Sequence, residues 1–395
     1  MKKFVVAILA VCLVFAGFVG YMNRDISAQE PAESQAPAAE SAEPVESEKL
    51  DYEAMFALHE PEEVVLTADG KDITWDEYFS WVYMSAMQTE QYFFAMANYG
   101  VPMKWSDPVG EDAELSYADA AITGAENTLR QLLTIEGYAQ AQGIEASPET
   151  LEAIEQQRSS DMLATVGEEG TEEDFAEYLK SLYRSESAYS RSNYANFINI
   201  QHFVSSYGEQ GEKVGDEQAL AYLEENGYLR ANHILLSTID LQTGEPLEEA
   251  QVEEKKALAE KLAAELQAIE EPEQLSQRFL ALKEEYCEDT GKTAYPEGYV
   301  FQPGQMVAEF EEGSRALEAY GVSQPIETSY GYHIILRLPL DADAVVSYDS
   351  AGSPLTARML YANFDYAAGL DKYLEGVKLE YAQGFEPVDL TKYIK

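Results

Sequence analysis

The sequence predicts an α+β fold, and three observations carry it. Between residues 63 and 213 apolar residues recur at helical spacing, punctuated by Gly, Ser and Thr where helices should end and begin. Two β-branched apolar runs, Ala231–Leu236 and His333–Leu336, have strand length. Between them and after them the pattern returns to helical spacing, so strands and helices are mixed in the second half of the chain.

Composition bounds the possibilities. A chain of 395 residues has room for two or three cores, and 46% hydrophobic residues argue for globular structure. The formal net charge of −46 repels nucleic acid and anionic lipid, so neither is expected as a ligand. With two cysteines far apart, Cys12 and Cys287, no disulfide framework is expected.

In chain order, residues 1–25 read as a signal or membrane anchor. Lys2 and Lys3 precede an uncharged run from Phe4 to Met22, close to the ~20 residues of a spanning helix. An uncleaved anchor is one reading, and cleavage after Ala28 with release is the other. Residues 26–62, built largely of Ala, Glu, Pro and Ser, are expected to be a disordered acidic linker.

Residues 63–213 are expected to form a helical domain. Val64–Thr74 reads as a short strand and turn, and Thr74 with Glu77 as a capping box opening the next helix. That helix is apolar nearly all round, from Tyr78 to Met96, which fits burial or an adaptable surface for unfolded chains. Further helices are expected at Tyr117–Gln142, Pro148–Thr165, Glu172–Arg184 and Ser187–Tyr207, the third of these opened by Thr171 with Asp174. Beyond residue 339, Arg358–Gly384 reads as a helix.

The stretch Phe301–Leu338 reads as turn, helix, turn, strand. It contains Gly304-Met306-Phe310, then Gly321-Ser323-Pro325-Thr328, then Gly331-His333-Ile334-Ile335. Upstream lie Ala231-Asn232-His233-Ile234-Leu235 and the series Phe279, Leu282, Tyr286, Asp289. In this order and spacing the segments resemble the parvulin (rotamase) family of peptidyl-prolyl isomerases over residues 229–339. The pattern departs at Lys283 and Cys287, where Ala and Ser are usual. It departs also at Tyr295–Phe301, where only Gly298 of the family's glycine-rich turn is kept.

The resemblance implies a four-stranded antiparallel sheet with surrounding helices. It further implies a helical N-terminal domain, like that of secreted parvulin-type foldases, completed by residues 340–395 folding back onto it. It assigns a polar floor to His233, Asp289, Thr328 and His333, with the two imidazoles hydrogen-bonded to each other. A proline slot falls to Met306, Phe310 and Phe301, with Tyr299 at its mouth. The implied substrates are unfolded or partly folded exported polypeptides with X–Pro bonds, and the implied place of action is outside the cytoplasmic membrane.

The chemistry is bond rotation against a barrier of roughly 18–20 kcal/mol, which needs neither nucleophile, metal nor cofactor. His233, His333 and Asp289 have the makeup of a two-His-one-carboxylate site but not its short spacing, and no metal is expected. The bland readings are a pair of core histidines that only braces the sheet, and ordinary core for Met306 and Phe310. The rival function is a non-catalytic holdase acting through the aromatic-rich helical domain.

Overall fold

The structure, a computed structural model, describes residues 45–110, 115–350 and 352–395. The expected signal segment and most of the expected linker lie outside them. The chain divides into two compact units, one ending at Ser206 and resuming at Tyr366–Lys395, the other spanning Tyr207–Asp365.

The first unit opens with α1 (Tyr52–Phe56), the hairpin β1 (Val64–Ala68) and β2 (Lys71–Thr74), and α2 (Trp75–Ala97). Four helices follow: α3 (Tyr117–Ala141), α4 (Pro148–Val166), α5 (Glu172–Ser181) and α6 (Glu186–Tyr207). The cap residues explain the boundaries. Ser147 accepts from the Thr150 amide ahead of Pro148, and Thr171 and Asp174 form the expected reciprocal capping box. Thr74 and Glu77 do not. Glu77 is buried and its carboxylate meets Arg191 Nε at 2.5 Å, because a tertiary ion pair outcompetes the local cap. Trp75, Tyr78, Phe79 and Val82 of α2 are fully buried, whereas Phe94 at its far end is 69% exposed.

Residues 45–62 correct the linker expectation. Leu50 and Met55 sit in the core beside Trp75 and Phe79, and Leu50 bridges Ile394. The apolar residues Leu50, Tyr52, Met55 and Phe56 supply the burial that orders this segment.

The second unit carries α7 (Asp216–Glu225), β3 (Leu229–Ser237), α8 (Glu249–Gln267), α9 (Pro272–Tyr286), β4 (Tyr299–Phe301) and α10 (Ala308–Arg315). β5 (Ile326–Thr328), β6 (Gly331–Leu338) and the hairpin β7 (Val345–Tyr348) and β8 (Pro354–Thr356) follow. Four of its strands form an antiparallel sheet in the order β4-β3-β6-β5. Ile234, Leu236, Ile334 and Leu336 bury one face under Leu262 and Leu266 of α8 and Phe279 and Leu282 of α9. On the opposite face Ala231 and Ile335 pack with Phe301 and with Phe310 of α10.

The helix expected at Arg358–Gly384 is α11 (Ala357–Leu374), and it stops early. After Gly376 the chain forms β9 (Leu379–Tyr381), which adds to β1 in the order β2-β1-β9. Phe385, Val388 and Leu390 then join the first unit's core. Among the described residues no helix is long and apolar enough to cross a membrane.

Candidate active site

Strand register builds the site. β3 and β6 pair with His233 opposite Ile335 and Leu235 opposite His333. His233 and His333 are therefore diagonal neighbours on one face, because side chains two residues apart along a strand point the same way. β5 sets Thr328 opposite Gly331, two residues from His333, and β4 sets Tyr299 opposite Ala231, two residues from His233. A single oblique row, Tyr299, His233, His333, Thr328, thus crosses all four strands on the face that α10 partly covers.

Asp289 arrives from the exit of α9. The Glu288 amide donates to the Leu235 carbonyl at 2.9 Å, and the Ser237 amide donates to the Glu288 carboxylate at 2.7 Å. The Leu235 amide also reaches Cys287 Sγ at 3.4 Å. So anchored along β3, Asp289 caps a short turn by accepting from the Gly291 amide at 2.9 Å. Its Oδ2 accepts from Tyr299 Oη at 2.7 Å and lies 3.4 Å from His233 Nε2.

Above this floor lies a cavity of about 340 Å³, lined by His233, Asp289, Tyr299, Met306, Phe310 and His333 among others. Phe310 stands edge-on to both imidazoles, with centroids 5.2 Å from His233 and 5.5 Å from His333. Tyr299 stacks on His233 at 5.6 Å with the planes 19° apart.

Two expectations need correction. Phe301 does not line the cavity: it is 1% exposed and packs behind Phe310, which lies between it and the opening. The two histidines are not hydrogen-bonded to each other. Their centroids are 5.1 Å apart with the planes at 51°, and among the described residues neither Nδ1 has a partner. Each ring instead turns its Nε2 outward, His233 to Asp289 and His333 to Thr328 Oγ1 at 3.0 Å. Thr328 therefore braces His333 from the side and is not part of the cavity wall. Leu235, Glu288 and Thr290 also line the cavity, as do Leu241, Gln305, Val307 and Tyr330, which carry no sequence signal. These last four sit in loops or at strand ends, where no periodicity marks them.

Protonation follows from burial. Desolvation holds both imidazoles below their ordinary range, His333 to about 4. The His333 neighbour lowers His233 further, while Asp289 opposes that shift. For Asp289 burial acts upward, but the Gly291 amide, Tyr299 and His233 outweigh it and keep the carboxyl below its usual value. Burial and the adjoining carboxylate push the Tyr299 phenol well up, so it remains a donor. Because a carboxylate only accepts, the proton of neutral His233 belongs on Nε2. The floor at neutral pH is one anion and two neutral imidazoles in fixed orientation.

Residues 233–338 match the protein family described as "Rotamase: PPIC-type PPIASE domain". This module is a parvulin-type rotamase domain. Relatives resemble the chain over limited stretches. "Foldase protein PrsA 3" of Bacillus anthracis is 53% identical over 58 residues, covering 14% of this chain and 20% of that protein. "Foldase protein PrsA" of Oceanobacillus iheyensis is 27% identical over 223 residues, covering 55% of this chain and 61% of that protein. The match thus spans less than two thirds of either relative. The crystal structure of PrsA from Bacillus subtilis aligns with 80% of this chain and 92% of its own at 17% identity and a TM-score of 0.24.

Proposed function

We propose that the chain is a peptidyl-prolyl cis-trans isomerase and foldase acting on exported polypeptides outside the cytoplasmic membrane. The observation that carries this reading is the convergence of His233, Asp289 and His333 beneath an open hollow walled by Met306 and Phe310. The hollow suits a pyrrolidine ring, and the side chains leave it unfilled. Reaching millisecond turnover from an uncatalysed step of tens to hundreds of seconds needs roughly 10⁴–10⁵-fold, or about 5.5–7 kcal/mol. No bond breaks, so this stabilisation comes from holding the ring in an apolar slot and favouring the twisted amide over the planar one. Met306 and Phe310 grip the ring. The floor of Asp289, His233 and His333 presents fixed polar groups to the amide as its conjugation is lost, with Thr328 locking His333. The basic start, the uncharged run Phe4–Met22 and the acidic segment after it support a place outside the membrane, tethered by residues 1–25 or released by cleavage after Ala28.

The test is a protease-coupled assay on Ala-Pro peptides with the full chain. Acceleration that Asp289→Ala and His333→Ala reduce at least tenfold supports the reading, and no acceleration by wild type overturns it.

A second reading is a holdase with the rotamase domain as scaffold. It is favoured by a cavity of about 500 Å³ in the first unit, lined by Trp81, Met84, Met87 and Leu132. Under it, wild type and His333→Ala suppress aggregation equally and neither speeds a proline-limited step.

A further inference from the structure

Lys283 is a lysine in an apolar stripe. Leu275, Phe279, Leu282 and Lys283 share the buried face of α9, and Lys283 is 4% exposed. An ammonium taken out of water needs acceptors for its protons. Nζ donates to the carbonyls of Tyr295 at 3.0 Å and Pro296 at 3.1 Å. Those carbonyls belong to the turn Tyr295-Pro296-Glu297-Gly298, closed by the Gly298 amide donating to Tyr295 at 3.1 Å. Asn232 Nδ2 adds a second tie to the Pro296 carbonyl at 3.3 Å. Gly298, at φ +96°, lies so close to β3 that a Cβ would come within 2.5 Å of the Ala231 carbonyl oxygen. The turn is thus clamped between β3 and the ammonium, and the next residue is Tyr299.

We propose that Lys283 is a positioning residue of this site: by holding the 295–298 turn from beneath, it fixes the Tyr299 hydroxyl on the Asp289 carboxylate. The inference deepens the isomerase reading and rests on it for the consequence in turnover. Tyr299 shares Oδ2 with His233, so it sets the orientation of the carboxylate as well as its charge. The other groups facing Asp289 are the Gly291 amide, the two neutral imidazoles and the lysine itself. Lys292 also lies nearby, with Nζ donating to the Cys287 carbonyl at 2.9 Å.

A cycle of Lys283→Met, Tyr299→Phe and the double variant tests this, read by NMR titration of the Asp289 carboxyl in the full chain. Tyr299→Phe should move the midpoint up by about one pH unit, the loss of one hydrogen bond to a carboxylate. If Lys283 acts through the turn, Lys283→Met also moves it up, and the double variant exceeds Lys283→Met by less than half of the Tyr299→Phe shift. An additive double variant, or an unmoved midpoint in Lys283→Met, overturns the proposal, because charge alone or packing alone would then account for the lysine. Should Lys283→Met fail to fold, Lys283→Ala, which places the residue usual in the family at this position and likewise offers the turn carbonyls no donor, carries the same comparison. In turnover, both single variants should lower kcat about five- to tenfold at pH 7 with KM nearly unchanged, since the Met306 and Phe310 walls are intact. If wild type does not turn over, the isomerase reading fails, while the titration still decides the role of the lysine.

Discussion

Removing His333 should flatten the acid side of the rotamase domain's stability curve. In the folded protein burial holds this imidazole at about 4, against 6.5 for a free histidine. As pH falls below about 6.5 the unfolded chain takes up a proton that the folded chain refuses. Stability contributed by the neutral ring is therefore present at neutral pH and lost progressively down to about pH 4. Linkage gives a loss of about 2 kcal/mol at pH 5 and about 3 kcal/mol at pH 4 from this group alone. His233 acts in the same direction. Asp289, held below its usual value, adds a separate loss only below the ordinary carboxylate range. His333→Gln keeps an amide near Thr328 and cannot titrate. The assay is hydrogen exchange read by mass spectrometry on the amides of β6, corrected for intrinsic rates. Tryptophan fluorescence would not serve, because Trp75, Trp81 and Trp105 all lie in the first unit. Between pH 7 and pH 5, protection in β6 should fall about 20-fold more in wild type than in His333→Gln. Equal falls would mean that His333 is not held neutral, and the description of a dry, fixed floor would be wrong.

Three further outcomes follow. Arg191 pairs with Glu77, at 2.5 Å, and with Glu136, both nearly buried, so Arg191→Met should destabilise the first unit by about 3 kcal/mol or more, measured by urea unfolding with tryptophan fluorescence. Gly331 has φ +141° and a Cβ there would lie 2.3 Å from the Leu236 carbonyl oxygen, so Gly331→Ala should cost more than about 2 kcal/mol in the second unit and expose the β3 and β6 amides to exchange. Met306→Ala should raise KM for Ala-Pro peptides about three- to tenfold with little change in folding, since Met306 is only half-buried and lines the cavity.

Much of this site was legible in the sequence, for a physical reason. A β-strand repeats every two residues, so His233 and His333 each mark a register position, and pairing β3 with β6 brings them together. Helix starts were legible where the cap is local, as at Thr171 with Asp174. What failed was non-local. Glu77 looked like a cap partner and is claimed by Arg191, 114 residues away. β9 is three residues long and becomes a strand only because β1 offers it an edge. Phe301 has the right residue type for the slot but sits behind Phe310, a depth that no spacing encodes. Lys283 did leave a signal, a cation inside the apolar stripe of α9, but its partners are backbone carbonyls, which have no side-chain signature.

The central claim is that the three polar groups beneath the Met306 and Phe310 hollow ease rotation about an X–Pro bond. Exchange NMR on an Ala-Pro peptide, with separate cis and trans signals, measures that rotation without a coupling enzyme. The full chain should produce cis–trans exchange peaks at catalytic concentration, and Asp289→Ala and His333→Ala should lower the exchange rate at least tenfold. Exchange no faster than the free peptide, or an unchanged rate in both variants, would contradict the claim.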